Sequence, residues 1–222
     1  MRSWAMLLLV WLCSSQASAE GTPRDWFERM IQAAREQNYE GVLIYGNQRH
    51  WDSMAVRHAV IDGQEYEHLQ QLTGAPREQI RQGAVSDCLL DDPERVHAQP
   101  LQNPLHSFLS GHDFSAQYVL TLGDADRVAG RFARQLWLQP TDSHRYAMRL
   151  WLDQKTALLL RSDLLDERHQ VLERFQFAHI DIGADIPLAS FVPGEHAHRL
   201  SAPAEHQHAP VSWLPGWLPP GF

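Results

Sequence analysis

Residues 128–166 constrain the fold of this chain more than any other stretch. Val128-Ala129-Gly130-Arg131-Phe132, Trp151-Leu152-Asp153 and Leu158-Leu159-Leu160-Arg161-Ser162 read as three successive antiparallel strands. Pro140-Thr141-Asp142-Ser143-His144 and Asp153-Gln154-Lys155-Thr156 have the composition of the hairpin turns between them. Such a meander makes a curved sheet with an apolar face that something else must cover. It carries no catalytic apparatus of its own.

Upstream, the chain opens with a helix pattern whose aromatic edge must bury against something. Thr22 is a helix N-cap with Pro23 at the first helical position. Trp26, Phe27, Met30, Ile31 and Ala34 follow at helical spacing, so the pattern predicts an amphipathic helix over 23–37. Tyr39 to Asn47 reads as a strand apolar on both faces. Met54, Val56, His58 and Val60 alternate in the next strand, and Asp62-Gly63 is a hairpin turn leading to a return over Glu65–Leu72. Arg77–Gly83 is a fourth, polar strand. Residues 91–116 hold Pro93, Pro100, Pro104 and Gly111 with little periodicity, the composition of a long functional loop. Tyr118–Leu122 resumes the sheet, with Gly123-Asp124-Ala125-Asp126 expected as a turn. A last strand is expected over Val171–Ile182, and a helical turn within 187–191.

The ends differ in character. Residues 1–19 read as a signal peptide: Arg2, an apolar run from Trp4 to Cys13, and the small-x-small site Ala17-Ser18-Ala19. Cleavage before Glu20 and export to the periplasm are the expectation. Lipidation at Cys13 is the weaker alternative, because Trp11 and Leu12 stand where small residues are wanted. Loss of Cys13 leaves Cys88 as the single cysteine, which excludes an internal disulfide. Residues 20–192 then form the sheet domain. Residues 193–216, rich in Pro, His, Ala and Glu, read as a flexible linker. Trp217-Leu218-Pro219-Pro220-Gly221-Phe222 is apolar again and reads as the start of a second domain.

A formal net charge of −8 argues against nucleic acid as a partner, since phosphate binding needs clustered positive charge. No Gly-x-Ser-x-Gly elbow, phosphate loop, dinucleotide fingerprint or His-Glu-x-x-His helix is present. Ser110, His112 and Asp113 are neighbours in sequence, which says nothing about a triad assembled in space. Glu195-His196-Ala197-His198 recurs as Glu205-His206-Gln207-His208, yet a linker lacks the packed frame of a metal site. The reading is therefore a binding protein without cofactor or metal.

Several stretches resemble the RseB/MucB family of periplasmic regulators of the envelope-stress sigma factor. They are Tyr39-Glu40-Gly41, Glu67-His68-Leu69, Gly74-Ala75-Pro76-Arg77-Glu78, Arg127-Val128-Ala129-Gly130-Arg131, Arg145-Tyr146, Leu150-Trp151-Leu152-Asp153, Leu158-Leu159-Leu160-Arg161-Ser162, Leu172-Glu173-Arg174-Phe175 and Trp217-Leu218-Pro219-Pro220-Gly221-Phe222. The resemblance implies an α+β, mainly β fold: an open antiparallel half-barrel like that of the carriers LolA and LolB, wrapped around helices. It implies binding to the periplasmic part of a membrane-spanning anti-sigma factor, shielding of that part from a regulatory protease, and relief by lipid or lipopolysaccharide fragments. The alternative on the same fold is a lipid or lipoprotein carrier. Two sets of residues are candidates for lining a lipid cavity, since parity alone does not choose a face: Tyr146, Met148, Leu150 and Leu152, or Trp151 and its neighbours. Trp217 and Phe222 are the partner-binding candidates, and exposed Trp213 and Trp217 are expected to promote self-association as a homo-oligomer.

Overall fold

The computed structural model describes residues 21–83, 85–90, 117–192, 198–199 and 216–218, with side chains left aside at 85–90 and 198–199. Helix α1 (Pro23–Glu36) starts at a capping box: the Thr22 hydroxyl accepts from the Asp25 amide, and the Asp25 carboxylate accepts from the Thr22 amide at 2.7 Å. Its apolar stripe buries Trp26, Met30, Ala33 and Ala34. The predicted helix is thus present, ending one residue earlier than expected.

Eleven strands follow in chain order: β1 (Tyr39–Asn47), β2 (Trp51–Ile61), β3 (Gln64–Gln71), β4 (Arg77–Gln82), β5 (Val85–Leu90), β6 (Tyr118–Val128), β7 (Arg131–Pro140), β8 (Ala147–Asp153), β9 (Leu159–Leu165), β10 (Val171–Ile182) and β11 (His198–Arg199). They form one antiparallel sheet in the order β11-β5-β4-β3-β2-β1-β10-β9-β8-β7-β6. Two hairpin meanders are joined by the long-range pairing of β1 with β10, and β11 adds to the outer edge beside β5. Asp62 and Gly63 both take positive φ, as do Ala129 and Gly130. These are the conformations that two-residue hairpin turns require.

The sheet curls. The single α-helix of the described residues touches β2, β6 and β7, although β2 and β7 stand five places apart in the order. β10 and β6 also approach each other across β9, β8 and β7, which would lie about 19 Å apart in a flat sheet. The fold class expected from the resemblance, mainly β with an open half-barrel around a helix, is the one the chain adopts.

One expectation is corrected. Gly123–Asp126 is not a turn: β6 runs through it with a register shift between Leu122 and Ala125. The hairpin turn is Ala129-Gly130 instead. A Cβ on Gly123 would stand 2.8 Å from the Trp137 indole nitrogen, so this residue is glycine because the ring lies on its backbone. β5 was not anticipated, because Ser86 and Asp87 interrupt its apolar pattern and its pairing with β4 supplies the order. Two residues of the expected linker, His198 and Arg199, pair with Cys88 and Asp87 of β5.

Candidate functional site

Strand registers assign each side chain to a face. On the inner face, under α1, one rung runs Leu122–Leu136–Leu150–Ser162–Phe175, and another runs Phe177–Leu43–Met54. These rungs join Trp26, Met30, Ala33 and Ala34 of the helix in one apolar cluster. Leu150 and Leu152 are 0 % exposed in it. Met148 is only partly buried at its border, with Phe27, Ile31, Leu120 and Leu122. Tyr146 is 54 % exposed at the start of β8, and its carbonyl accepts from the Tyr118 hydroxyl at 3.2 Å. Of the first candidate set, Met148, Leu150 and Leu152 share the inner face but not one environment, and Tyr146 precedes the strand. Leu150 and Leu152 are sealed in the apolar cluster, Met148 stands at its half-open margin, and Tyr146 lies exposed beside Tyr118.

Trp151 points the other way. Its indole N–H donates to Asp126 Oδ2 at 2.9 Å, with the Arg161 guanidinium 3.9 Å above the ring and Arg149 5.1 Å from it. Arg149 also lies 4.6 Å from the Trp137 ring. Below this ladder sits Asp163, fully buried and held by paired hydrogen bonds from both Arg161 and Arg174. Burial alone would raise the Asp163 carboxyl; the bonds from the two arginines outweigh it and hold the group below its ordinary value. The outer face here is a packed cation–π surface, polar at its exposed atoms.

A second buried polar group escaped the sequence reading. His58 is 0 % exposed, stacked on Tyr39 at 5.0 Å, with Nδ1 2.8 Å from the Gln37 carbonyl at the helix C-cap and Nε2 3.2 Å from Glu65. Arg81 donates to Glu65 at 2.6 Å and lies 3.6 Å from Glu67. The hydrogen bond with His58 is the main cause that lowers the Glu65 carboxyl to about 2; burial opposes it and Arg81 adds to it. The group ties α1 to β2, β3 and β4. Its sequence signal was the odd polar residue, His58, at an inner-facing position of an alternating strand.

The remaining candidates are dispersed. Trp217 is 63 % exposed and its ring meets His144 at 5.1 Å, beside the β7–β8 turn. Phe222, Trp213 and the histidines at 196, 206 and 208 lie outside the described residues. Among the described residues no group of three metal-ligating side chains occurs, and no helix is long and apolar enough to cross a membrane. The short turn Leu188–Phe191 covers the outer face of β3 and β4 through Phe191, packed with Ile186, Ala59 and Ile80.

This geometry has known counterparts. A family model for the MucB/RseB N-terminal domain matches residues 22–195. The sigma factor AlgU regulatory protein MucB of Pseudomonas aeruginosa is 33% identical over 224 residues, covering 100% of this chain and 71% of that protein. The sigma-E factor regulatory protein RseB of Haemophilus influenzae is 31% identical, covering 97% of this chain and 71% of its own length. Among solved structures, MucB in complex with MucA(peri) superposes with a TM-score of 0.72 at 32% identity, over 90% of this chain and 66% of that one. A conserved protein from Thermus thermophilus shares the fold alone, with a TM-score of 0.50 at 13% identity.

Proposed function

The chain belongs to the MucB/RseB family, and from that premise we propose that it is a periplasmic regulator that binds the periplasmic part of an anti-sigma factor. Binding shields that part from regulatory proteolysis, and lipid or lipopolysaccharide relieves the shielding. The observation that carries the reading is the likeness over 90% of this chain to MucB solved with MucA(peri). The chain spans 66% of that structure, so its own share of the contact is part of the proposal. The architecture fits a binder: an apolar inner face and a half-open margin at Phe27, Ile31, Leu120, Leu122 and Met148. Each CH2 of an acyl chain buried at that margin contributes about 0.8 kcal/mol before ordering costs.

The test is a protease-protection assay. The full chain is added to P. aeruginosa MucA(peri) with its site-1 protease, with and without lipid A. The expected result is slower cleavage that lipid A restores. Cleavage unaffected by the chain, together with no heat of binding in calorimetry, overturns the proposal.

A further inference from the structure

β6 is an eleven-residue strand at the edge of the sheet. Its hydrogen-bond parity follows from one contact: the Thr141 amide donates to the Gln117 carbonyl at 2.9 Å. Bonded and non-bonded pairs alternate along an antiparallel ladder. The main chain of Val119 and Thr121 therefore faces β7, opposite Gln139 and Trp137. At Leu120 and Leu122 the N–H and C=O groups point outward, where no strand lies among the described residues.

Sheet edges normally carry devices that prevent pairing. On β6 they are confined to the second half. There the register shifts between Leu122 and Ala125, and Asp124, Asp126 and Arg127 are exposed charges. The first half, Val119-Leu120-Thr121-Leu122, has none: it is β-branched or apolar throughout, with Val119 55 % exposed. Leu120 and Leu122 turn their side chains to the inner face, beside Phe27 and Ile31 at the half-open margin.

We propose that the Val119–Leu122 edge seats an extended segment of the anti-sigma factor's periplasmic part, added to the sheet as a further strand; this rests on the binding reading above. Four main-chain bonds at Leu120 and Leu122 hold such a segment, and its alternate side chains cover the margin. The matching segment is apolar at every second position, with a Lys or Arg near Asp124. Charge decides against a second copy of this chain. The chain carries −8 overall, and a copy would bring its own Asp124 and Asp126 to the same edge. Because the inward side chains fill the margin open to an acyl chain, strand and lipid exclude each other there.

The experiment is amide hydrogen exchange by NMR on the full chain, alone and with P. aeruginosa MucA(peri), with calorimetry in parallel. Binding should slow the Leu120 and Leu122 amides at least tenfold and change Val119 and Thr121, already bonded to β7, far less. Leu120→Pro removes an outward donor without breaking a β7 bond. It should weaken binding at least tenfold beyond Leu120→Ala, which removes the side chain alone. Binding with both amides unchanged overturns the edge proposal and leaves the binding reading intact. No binding at all overturns both. Protection of the two amides in the free chain means its own residues cover the edge, and protection that grows with protein concentration means a second copy does; either result overturns the proposal.

Discussion

Leu150 separates a sealed core from a ligand cavity. It is 0 % exposed, paired across the sheet with Leu136 and Ser162, in the cluster that includes Trp26 and Met30. Truncation to Ala at a site of this kind costs about 3–5 kcal/mol, the lost transfer energy plus the cavity left behind. Leu150→Asp loses the same contacts and buries a carboxyl with no partner, at least a further ~2 kcal/mol even when it is protonated. The sum, about 5–7 kcal/mol, is comparable to the whole stability of a typical domain, ~5–15 kcal/mol. Urea denaturation followed by circular dichroism tests this. With a slope of about 2–3 kcal/mol/M, Leu150→Ala should lower the midpoint by roughly 1–2 M, and Leu150→Asp should be largely unfolded in buffer. Tyr146→Asp, at a position 54 % exposed just before β8, should stay within about 0.5 kcal/mol of the wild type. If Leu150→Ala shifts the midpoint by less than ~0.3 M, or Leu150→Asp keeps a native near-UV spectrum, then Leu150 lines a space that admits solvent and the sealed-core argument is wrong.

Other consequences follow from the buried charges and the helix cap. Asp163→Asn should cost about 3–5 kcal/mol, because it leaves Arg161 and Arg174 without their shared carboxylate; a chemical-denaturation loss under ~1 kcal/mol would refute a structural role for that triad. Glu65 titrates near 2 when folded against an ordinary value of 4.5, and Asp153 and Asp163 are lowered as well. A carboxyl lowered by folding stabilises the protein above its unfolded value and loses that contribution as pH falls through its folded value. The thermal midpoint should therefore drop between about pH 4.5 and 2, and Glu65→Gln should flatten that dependence. An unchanged slope in Glu65→Gln would remove the His58–Glu65–Arg81 group as its source. Thr22→Ala breaks the capping box and should cost about 1 kcal/mol, with Thr22→Ser restoring most of it; equal midpoints for all three would show that packing alone holds α1.

Much of this protein was legible in its residue order, and the division has a physical basis. The Thr22-Pro23 start, the Trp26/Met30/Ala34 stripe, the Asp62-Gly63 turn and most strands are local: they depend on φ preferences and on periods of two and 3.6 that a single segment carries. The family resemblance was readable for the same reason, as short patterns in order. What the chain order could not decide was set by contacts between distant segments. β8 is apolar at Leu150, Trp151 and Leu152 in succession, so parity offers two faces. Only the strand register, which sets Leu150 beside Leu136, and the arginines stacked on Trp151, choose between them. Gly123 looked like a turn because the indole that lies on it comes from Trp137 of the next strand. His58 looked like one more member of an alternating strand, and its partners arrive from the helix C-cap and from Glu65. The pairing of β1 with β10, which joins the two meanders and lets the sheet curl around α1, leaves no local mark. Among the described residues β6 is a sheet edge, and it stands beside the half-open margin only in the curled sheet, so the surface proposed to take the partner exists only once the whole sheet is assembled.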